Sequence, residues 1–388
     1  MPERPTPMPG AGAGIYVHVP FCLRKCCYCD FVSYPACTEE MQTYFEALAR
    51  EIETVAREML QVPVTSIFVG GGTPSVLPCA MLCSILRQIL SMFKHSPDVE
   101  VSVEVNPGTV NATSLAAIRA AGANRLSIGV QSLDSRLLEL LGRLHTAQDA
   151  VTSVLAARSA GFTNISIDLM FGLPEQAMPH FRQTLEQVLE LTPDHVSCYS
   201  LIVEPSTPLA TLLRENKLSL PDEETELAMY EWAIERLRSA GYEQYEISNW
   251  SRPGHRCQHN EIYWRNEWYR GLGPAAHSHW GGQRWANTSD VEAYSRGLEQ
   301  GLLPIAERRQ LSPDDEMDET MIMGLRLLEG VSDGRFRSRF GRGLRSVYGD
   351  EIARLVRLGL VEYDTSVRLT RRGLLFGNQV FAAFLRSS

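Results

Sequence analysis

Along the first two hundred residues, short runs rich in β-branched and other apolar residues alternate with longer stretches whose apolar positions recur every three or four residues. The short runs predict strands over residues 15–19, 66–69, 99–105, 125–130, 164–169 and 195–201. The longer stretches predict helices over 40–60, 79–93, 114–121, 147–160 and 180–191. Strand and helix alternating in this way is the pattern of a parallel β/α architecture, either an open sheet or a barrel. Beyond it, 222–240 has helical periodicity, while a Trp/Tyr/His-rich region over 242–285 has no clean period. Residues 313–328 again read as helix. The last part of the chain reads as a small helical module closed by a hairpin: helices over 341–348 and 350–358, then strands over 360–363 and 367–370 around Asp364-Thr365-Ser366. That order is a winged-helix pattern.

In parallel β/α folds the loops after the strands carry the chemistry. The unusual residues fall there. Cysteines follow the first strand, Gly70-Gly71-Gly72-Thr73-Pro74-Ser75 the second, Asn106-Pro107-Gly108 the third and Gln131 the fourth, and Asp168 lies near the end of the fifth.

Composition narrows the classes. The chain has 388 residues and a net charge of −9, so it has no global basic field to gather nucleic acid or an anionic membrane. No run approaches the roughly 18 apolar residues of a membrane-spanning helix. The start, MPERPTPMPGAGAG, has neither the basic flank and apolar stretch of a signal peptide nor an Arg-rich amphipathic character. A cytoplasmic protein is expected. Nine cysteines, an odd number, fit a reduced compartment and a metal role better than a disulfide framework. Cys37, Cys79, Cys83, Cys198 and Cys257 are scattered and read as ordinary thiols.

The remaining four sit in Tyr16-Val17-His18-Val19-Pro20-Phe21-Cys22-Leu23-Arg24-Lys25-Cys26-Cys27-Tyr28-Cys29-Asp30-Phe31. Cys22, Cys26 and Cys29 form C-x3-C-x2-C, three thiolates on one loop that can ligate three irons of a cubane. Cys27 allows other triads; the C-x3-C-x2-C choice, with the aromatic Tyr28 just before its last cysteine, makes Cys27 a bystander. Zinc would want a second Cys or His pair at a knuckle spacing, and none is evident.

At these residues the chain resembles the radical S-adenosylmethionine (SAM) superfamily, in which a 4Fe-4S cluster binds SAM at its fourth iron and cleaves it to a 5′-deoxyadenosyl radical. From Tyr16 to Ile202 it resembles, more closely, the oxygen-independent coproporphyrinogen III oxidases and their relatives. That resemblance implies a partial (β/α)6 radical SAM barrel with a C-terminal α/β module including a winged-helix-like segment. Its expected divisions are a flexible arm over 1–13, the core barrel over 14–215, a barrel-covering region over 216–300 and the winged-helix-like module over 301–388. It also implies that Tyr16, Gly71, Glu104 and Ile202 contact one SAM. Gly72, Thr73, Gln131, Arg143 and Asp168 would contact a second SAM or line its space, and Tyr28 would pack beside the first. The resemblance continues through Gly271-Leu272-Gly273-Pro274-Ala275-Ala276-His277-Ser278, which brings His277 into the SAM set.

Two features separate the chain from the oxidase branch. The oxidases carry a further cysteine two residues beyond the third ligand, where this chain has Phe31, and a longer segment before the cluster loop. Both departures resemble instead the heme-chaperone subgroup, whose H-N-x-x-Y-W motif reads here as His259-Asn260-Glu261-Ile262-Tyr263-Trp264. A histidine flanked by aromatics suits heme iron ligation, so His259 is the candidate heme ligand, with His255, His277, His279 and Cys257 weaker ones. The resemblance implies binding of heme and its transfer to acceptor hemoproteins, respiratory or heme-storage proteins among them, and an electron donor for the cluster. Any peripheral membrane contact would be made through acceptors. The alternatives are oxidative decarboxylation of coproporphyrinogen III and, more remotely, a radical SAM methyltransferase. Arg335, Arg337 and Arg339 of the winged-helix-like tail are mixed with acids in an acidic chain, so a substrate-covering or docking role is expected there and nucleic acid is not.

Overall fold

A computed structural model describes residues 12–386; residues 1–11 of the expected N-terminal arm lie outside the described residues. Twelve strands form one sheet. In chain order they are β1 (Ala13–Val19), β2 (Val64–Gly71), β3 (His95–Val105), β4 (Arg125–Gln131), β5 (Ile165–Phe171), β6 (His195–Ser200), β7 (Glu243–Glu246), β8 (Asn249–Ser251), β9 (Tyr269–Leu272), β10 (His277–Trp280), β11 (Gln283–Asn287) and β12 (Ile305–Gln310). Their spatial order is β12-β11-β10-β9-β1-β2-β3-β4-β5-β6-β8-β7. The strands β1 to β6 are parallel neighbours. Helices Thr38–Glu58, Cys79–Met92, Ala112–Ala120, Ala147–Ser159 and Met178–Glu190 connect them, as the periodicity predicts. Local chemistry starts two of these helices: the side chains of Asn111 and Thr146 each accept the backbone N–H three residues on, in reciprocal capping boxes.

Period-two alternation decides what the sheet shows on each face. Ile67 and Val69, Val101 and Val103, Leu126 and Ile128, and Ile165 and Ile167 are buried in the main apolar core. The alternate residues turn inward and are mostly polar or aromatic: Phe68, Glu104, Arg125, Ser127, Asp168 and Tyr199 all line an internal cavity of about 600 Å³. A closed eight-stranded barrel fills its interior with branched apolar side chains; this open one keeps a hollow lined by aromatic and polar side chains.

Residues 243–310, which run past the expected boundary at 300, carry the sheet outward at both edges, with β9 parallel to β1 and β10, β11 and β12 antiparallel beyond it. At the other edge β8 pairs antiparallel with β6, and β7 with β8. These strands are only three to five residues long between β7 and β11, too short to display an alternation in sequence. Between the two edge groups, helix Gln258–Trp264 carries the H-N-x-x-Y-W motif and packs on β1 and β2.

The C-terminal module has its own apolar cluster, including Met321, Phe336, Tyr348 and Phe384, and a three-stranded sheet of Val331–Ser332, Ser366–Leu369 and Val361–Tyr363. The two helices expected over 341–348 and 350–358 are both present within Leu344–Arg357, separated by a break at Tyr348, whose backbone is not helical (φ −126°, ψ 25°). The hairpin does not close the module. Helices Arg371–Leu375 and Gly377–Ala382 follow it, and Gly373 permits this by lying where a Cβ would stand 1.9 Å from the Leu360 carbonyl oxygen. Among the described residues no helix is long and apolar enough to cross a membrane.

Candidate functional site

The cysteine loop sits at the C-terminal mouth of the barrel, directly after β1. Cys22, Cys26 and Cys29 line the cavity, and Cys27 does not. Cys27 turns the other way: its Sγ donates to the Leu140 carbonyl at 3.2 Å, and it packs against the apolar cluster of Leu137, Leu141 and Leu209. Burial pushes its thiol pKa up. A polar chain joins two of the cavity-facing thiols. Cys22 Sγ lies 3.5 Å from Thr73 Oγ1, which accepts from Asn106 Nδ2 at 2.8 Å; Asn106 Oδ1 accepts from Arg143 Nη2 at 2.8 Å; and Arg143 Nη1 lies 3.7 Å from Cys26 Sγ. Among the described residues, no three Cys, His, Asp or Glu side chains converge on one metal-ion position. Thiols set around a cavity mouth rather than at a point are the donor set of a cubane face, and they fit a 4Fe-4S cluster better than a single ion.

The glycine run after β2 has a more specific job than leaving room for a ligand. A Cβ at Gly72 would lie 2.6 Å from the Phe21 carbonyl oxygen, because Gly72 N donates to Val19 O at 2.8 Å and Thr73 N to Phe21 O at 2.7 Å. The glycines thus let the end of β2 lie against the cysteine loop. At Gly71 (φ +108°) the backbone takes a conformation that glycine adopts without strain, and its N–H donates to Glu104 Oε2 at 3.2 Å.

Glu104 and Asp168 both line the hollow, on the strands either side of Ser127. Burial, with the Asp168 charge adding to it, pushes the Glu104 carboxyl up to about 8. Asp168 is also pushed up by burial, although it accepts from Ser127 Oγ at 2.8 Å and Ser166 Oγ at 3.2 Å. Burial thus disfavours the charged form of both carboxyls, and the Asp168 charge disfavours it further at Glu104. Arg143 donates to the Gly129 carbonyl, where a side chain would strike Asn106 Oδ1 at 2.7 Å. Gln131, at the end of β4, holds φ +66°, a left-handed conformation that costs a residue with a Cβ on the order of 1 kcal/mol.

One wall of the same cavity is aromatic. Tyr16, Phe68 and His259 stack at centroid distances of 5.3 to 6.4 Å, and Tyr263 meets His259 edge-on at 4.8 Å. His259 is 1% exposed; its Nδ1 lies 2.6 Å from Ser66 Oγ and its Nε2 2.9 Å from Tyr263 OH. Both ring nitrogens are therefore engaged, and burial lowers its pKa to about 3. Glu100 anchors this helix by accepting the backbone N–H groups of Gln258 and His259 at 3.1 and 3.2 Å, at the N-terminus where a carboxylate is favoured.

The structure gathers Tyr16, Tyr28, Gly71, Gly72, Thr73, Glu104, Gln131, Arg143, Asp168 and His259 around one cavity with the three cysteines. It does not bring Ile202 there: this residue follows β6 and is 71% exposed, its side chain outside the lining. His277 stands exposed at the start of β10, beside His18 but likewise outside the lining. Among the weaker heme candidates, Cys257 and His279 are buried, His279 against the Glu267 carbonyl and Glu316. Asn106, marked in the sequence by its place in the loop after β3 but given no role there, ties Thr73 to Arg143. Sequence reasoning missed His18, whose Nδ1 meets Tyr16 OH at 2.9 Å and whose Nε2 meets the Val32 carbonyl at 2.8 Å, tying the cradle to the cysteine loop. Arg125 and Glu51 were also missed.

Comparison with known proteins agrees with this geometry. A family model described as the radical SAM superfamily matches residues 16–188, and one described as the HemN C-terminal domain matches residues 311–376. The chain is 39% identical over 372 residues to the Heme chaperone HemW of Bacillus subtilis (strain 168), covering 95% of this chain and 98% of that one. It is 36% identical over 383 residues to HemW of Mycobacterium tuberculosis (strain ATCC 25618 / H37Rv), covering 98% and 96%. To HemW of Escherichia coli (strain K12) it is 33% identical over 375 residues, covering 96% and 97%. Among solved structures, the coproporphyrinogen III oxidase HemN from Escherichia coli, a radical SAM enzyme, superposes with a TM-score of 0.83 at 24% identity, covering 96% of this chain and 90% of that one. That likeness shows the shared fold.

Proposed function

Because the chain belongs to the HemW family of radical SAM proteins, we propose that it binds heme in its barrel cavity and passes it to acceptor hemoproteins, in the cytoplasm. The observation that carries this reading is the convergence of two distant motifs: Asn260 and Tyr263 line the same hollow as Cys22, Cys26 and Cys29. One wall presents aromatic faces to a flat macrocycle, and the mouth holds the thiols. When bound, the cluster supplies one electron to SAM, drawn from an electron donor. The chain's own residues then have separable tasks. Gly71 and Glu104 shape the seat for one SAM, Thr73, Gln131 and Arg143 line the space beside it, and Phe31, 65% exposed at the mouth, offers an apolar edge where the oxidases place a thiol.

The test is anaerobic cluster reconstitution followed by two assays on one sample. A Soret band saturating at one heme per chain, without protoporphyrinogen formed from coproporphyrinogen III and SAM, is the expected result. Sustained protoporphyrinogen production would sink the chaperone reading in favour of the oxidase.

In this reading His259 would hold the heme iron through Nε2, which requires Tyr263 OH to give way. Tyr263→Phe removes that competing hydrogen bond, a net interaction of about 1 kcal/mol. The variant is expected to bind heme several-fold more tightly in a Soret titration, with the cluster's absorbance unchanged, and His259→Ala to bind it more weakly. Equal affinity of wild type and both variants would move the ligand elsewhere.

A further inference from the structure

The barrel floor holds a charge that the reading above does not use. Arg125, the first residue of β4, is 2% exposed and lines the cavity. Its Nη1 donates to Ser102 Oγ at a long 3.4 Å, and its Nε has no partner among the described residues. The neighbouring carboxylates have other work. Glu100 accepts the N–H groups of Gln258 and His259, and Asp168 accepts from Ser127 and Ser166. A guanidinium offers five donors in a planar fork, and burying it under-satisfied is costly unless an anion completes it. The cavity reaches it from the mouth: Arg125, Ser127, Gly129 and Gln131, alternate residues of β4, all line the hollow. At about 3.3 Å per residue that is roughly 20 Å along the strand, a depth suited to a long flat ligand entering edge-on beside the aromatic wall.

We propose that Arg125 is a carboxylate anchor on the cavity floor, and that the carboxylate it takes is a propionate of the tetrapyrrole. This rests on the heme-binding reading. A bidentate pair between guanidinium and carboxylate would set which edge of the macrocycle enters first. The same chemistry has a second source in the methionine carboxylate of SAM, and the experiment separates the two. The cluster-reconstituted wild type, Arg125→Gln and Arg125→Lys are titrated with hemin, with hemin dimethyl ester, whose propionates are blocked, and with SAM.

Wild type is expected to bind hemin about ten-fold or more tightly than the diester, as a charge-assisted bond to a buried group implies. Arg125→Gln should bring that ratio close to one, and Arg125→Lys should keep part of it, with SAM affinity changed by no more than about two-fold. Equal affinity of wild type for hemin and diester overturns the proposal while leaving heme binding itself intact. A hemin preference that survives in Arg125→Gln overturns it too, as does a variant that loses SAM and keeps the preference. Wild type that binds neither porphyrin overturns the heme-binding reading as well.

Discussion

Cys26→Ala is expected to abolish cluster assembly, leaving no iron–sulfur absorbance and almost no chain-bound iron after anaerobic reconstitution, whereas Cys27→Ala should assemble the cluster like wild type. The two cysteines are adjacent, and a count of spacings alone admits either. The fold separates them by direction. The Cys26 thiol looks into the cavity with Cys22 and Cys29, 3.7 Å from the Arg143 guanidinium. The Cys27 thiol is spent on the Leu140 carbonyl and on Leu137 and Leu141. Its replacement removes a weak S–H donor and a small apolar volume, a stability cost of about 1 kcal/mol, readable as a small fall in Tm with iron content intact. Removing Cys26 leaves two thiolates, one fewer than a cubane with an open fourth iron requires. Iron retained in Cys26→Ala and lost in Cys27→Ala would overturn the triad.

How far the sequence revealed this site depended on how local each signal is. The thiol triad and the glycine run are contiguous, and their places after β1 and β2 followed from the same alternation that predicts the strands. The hollow itself was half written in that alternation. Polar residues or glycine recur at every second position of 125–131, and polar residues at every second position of 164–168, which a half-buried strand explains equally well. Only the closure of the sheet decides that Arg125 and Asp168 face a cavity rather than solvent. The short edge strands were not legible, because three to five residues show no period and their pairing with β1 and β6 is long-range. Nor was the state of His259. The motif marks the residue, but Ser66 and Tyr263 approach its two nitrogens from a strand 193 residues away and from the next helical turn. Sequence likewise gave His277 and Ile202 the same standing as Glu104, while in the fold they stand outside the lining and Glu104 is part of it.

Glu51 shows what no motif flags. It lies in the helix Thr38–Glu58, outside both the cysteine loop and the glycine run, and is 2% exposed. Its Oε2 accepts the Gly273 N–H at 2.7 Å and the Tyr294 hydroxyl at 2.6 Å, and its Oε1 accepts Asn287 Nδ2 at 2.8 Å. Gly273 (φ +98°) lies so close to His18 that a Cβ there would stand 2.4 Å from the His18 carbonyl oxygen, and the His18 ring in turn holds Tyr16 and Val32. The carboxylate therefore positions the cradle at second hand, through a turn that pins the end of β1. Glu51→Ala orphans three buried donors, each worth about 1 kcal/mol or more, for a total of roughly 3 to 5 kcal/mol. It should lower Tm by several degrees and weaken SAM binding in the reconstituted protein. Glu51→Gln is the informative companion. Its carbonyl can keep both bonds made to Oε2, while its NH2 meets the Asn287 amide donor-to-donor, so it should recover most of the SAM affinity and about half of the stability. A Glu51→Ala protein that loses stability but binds SAM as wild type would reduce Glu51 to a packing residue and break the link from Gly273 through His18 to the site.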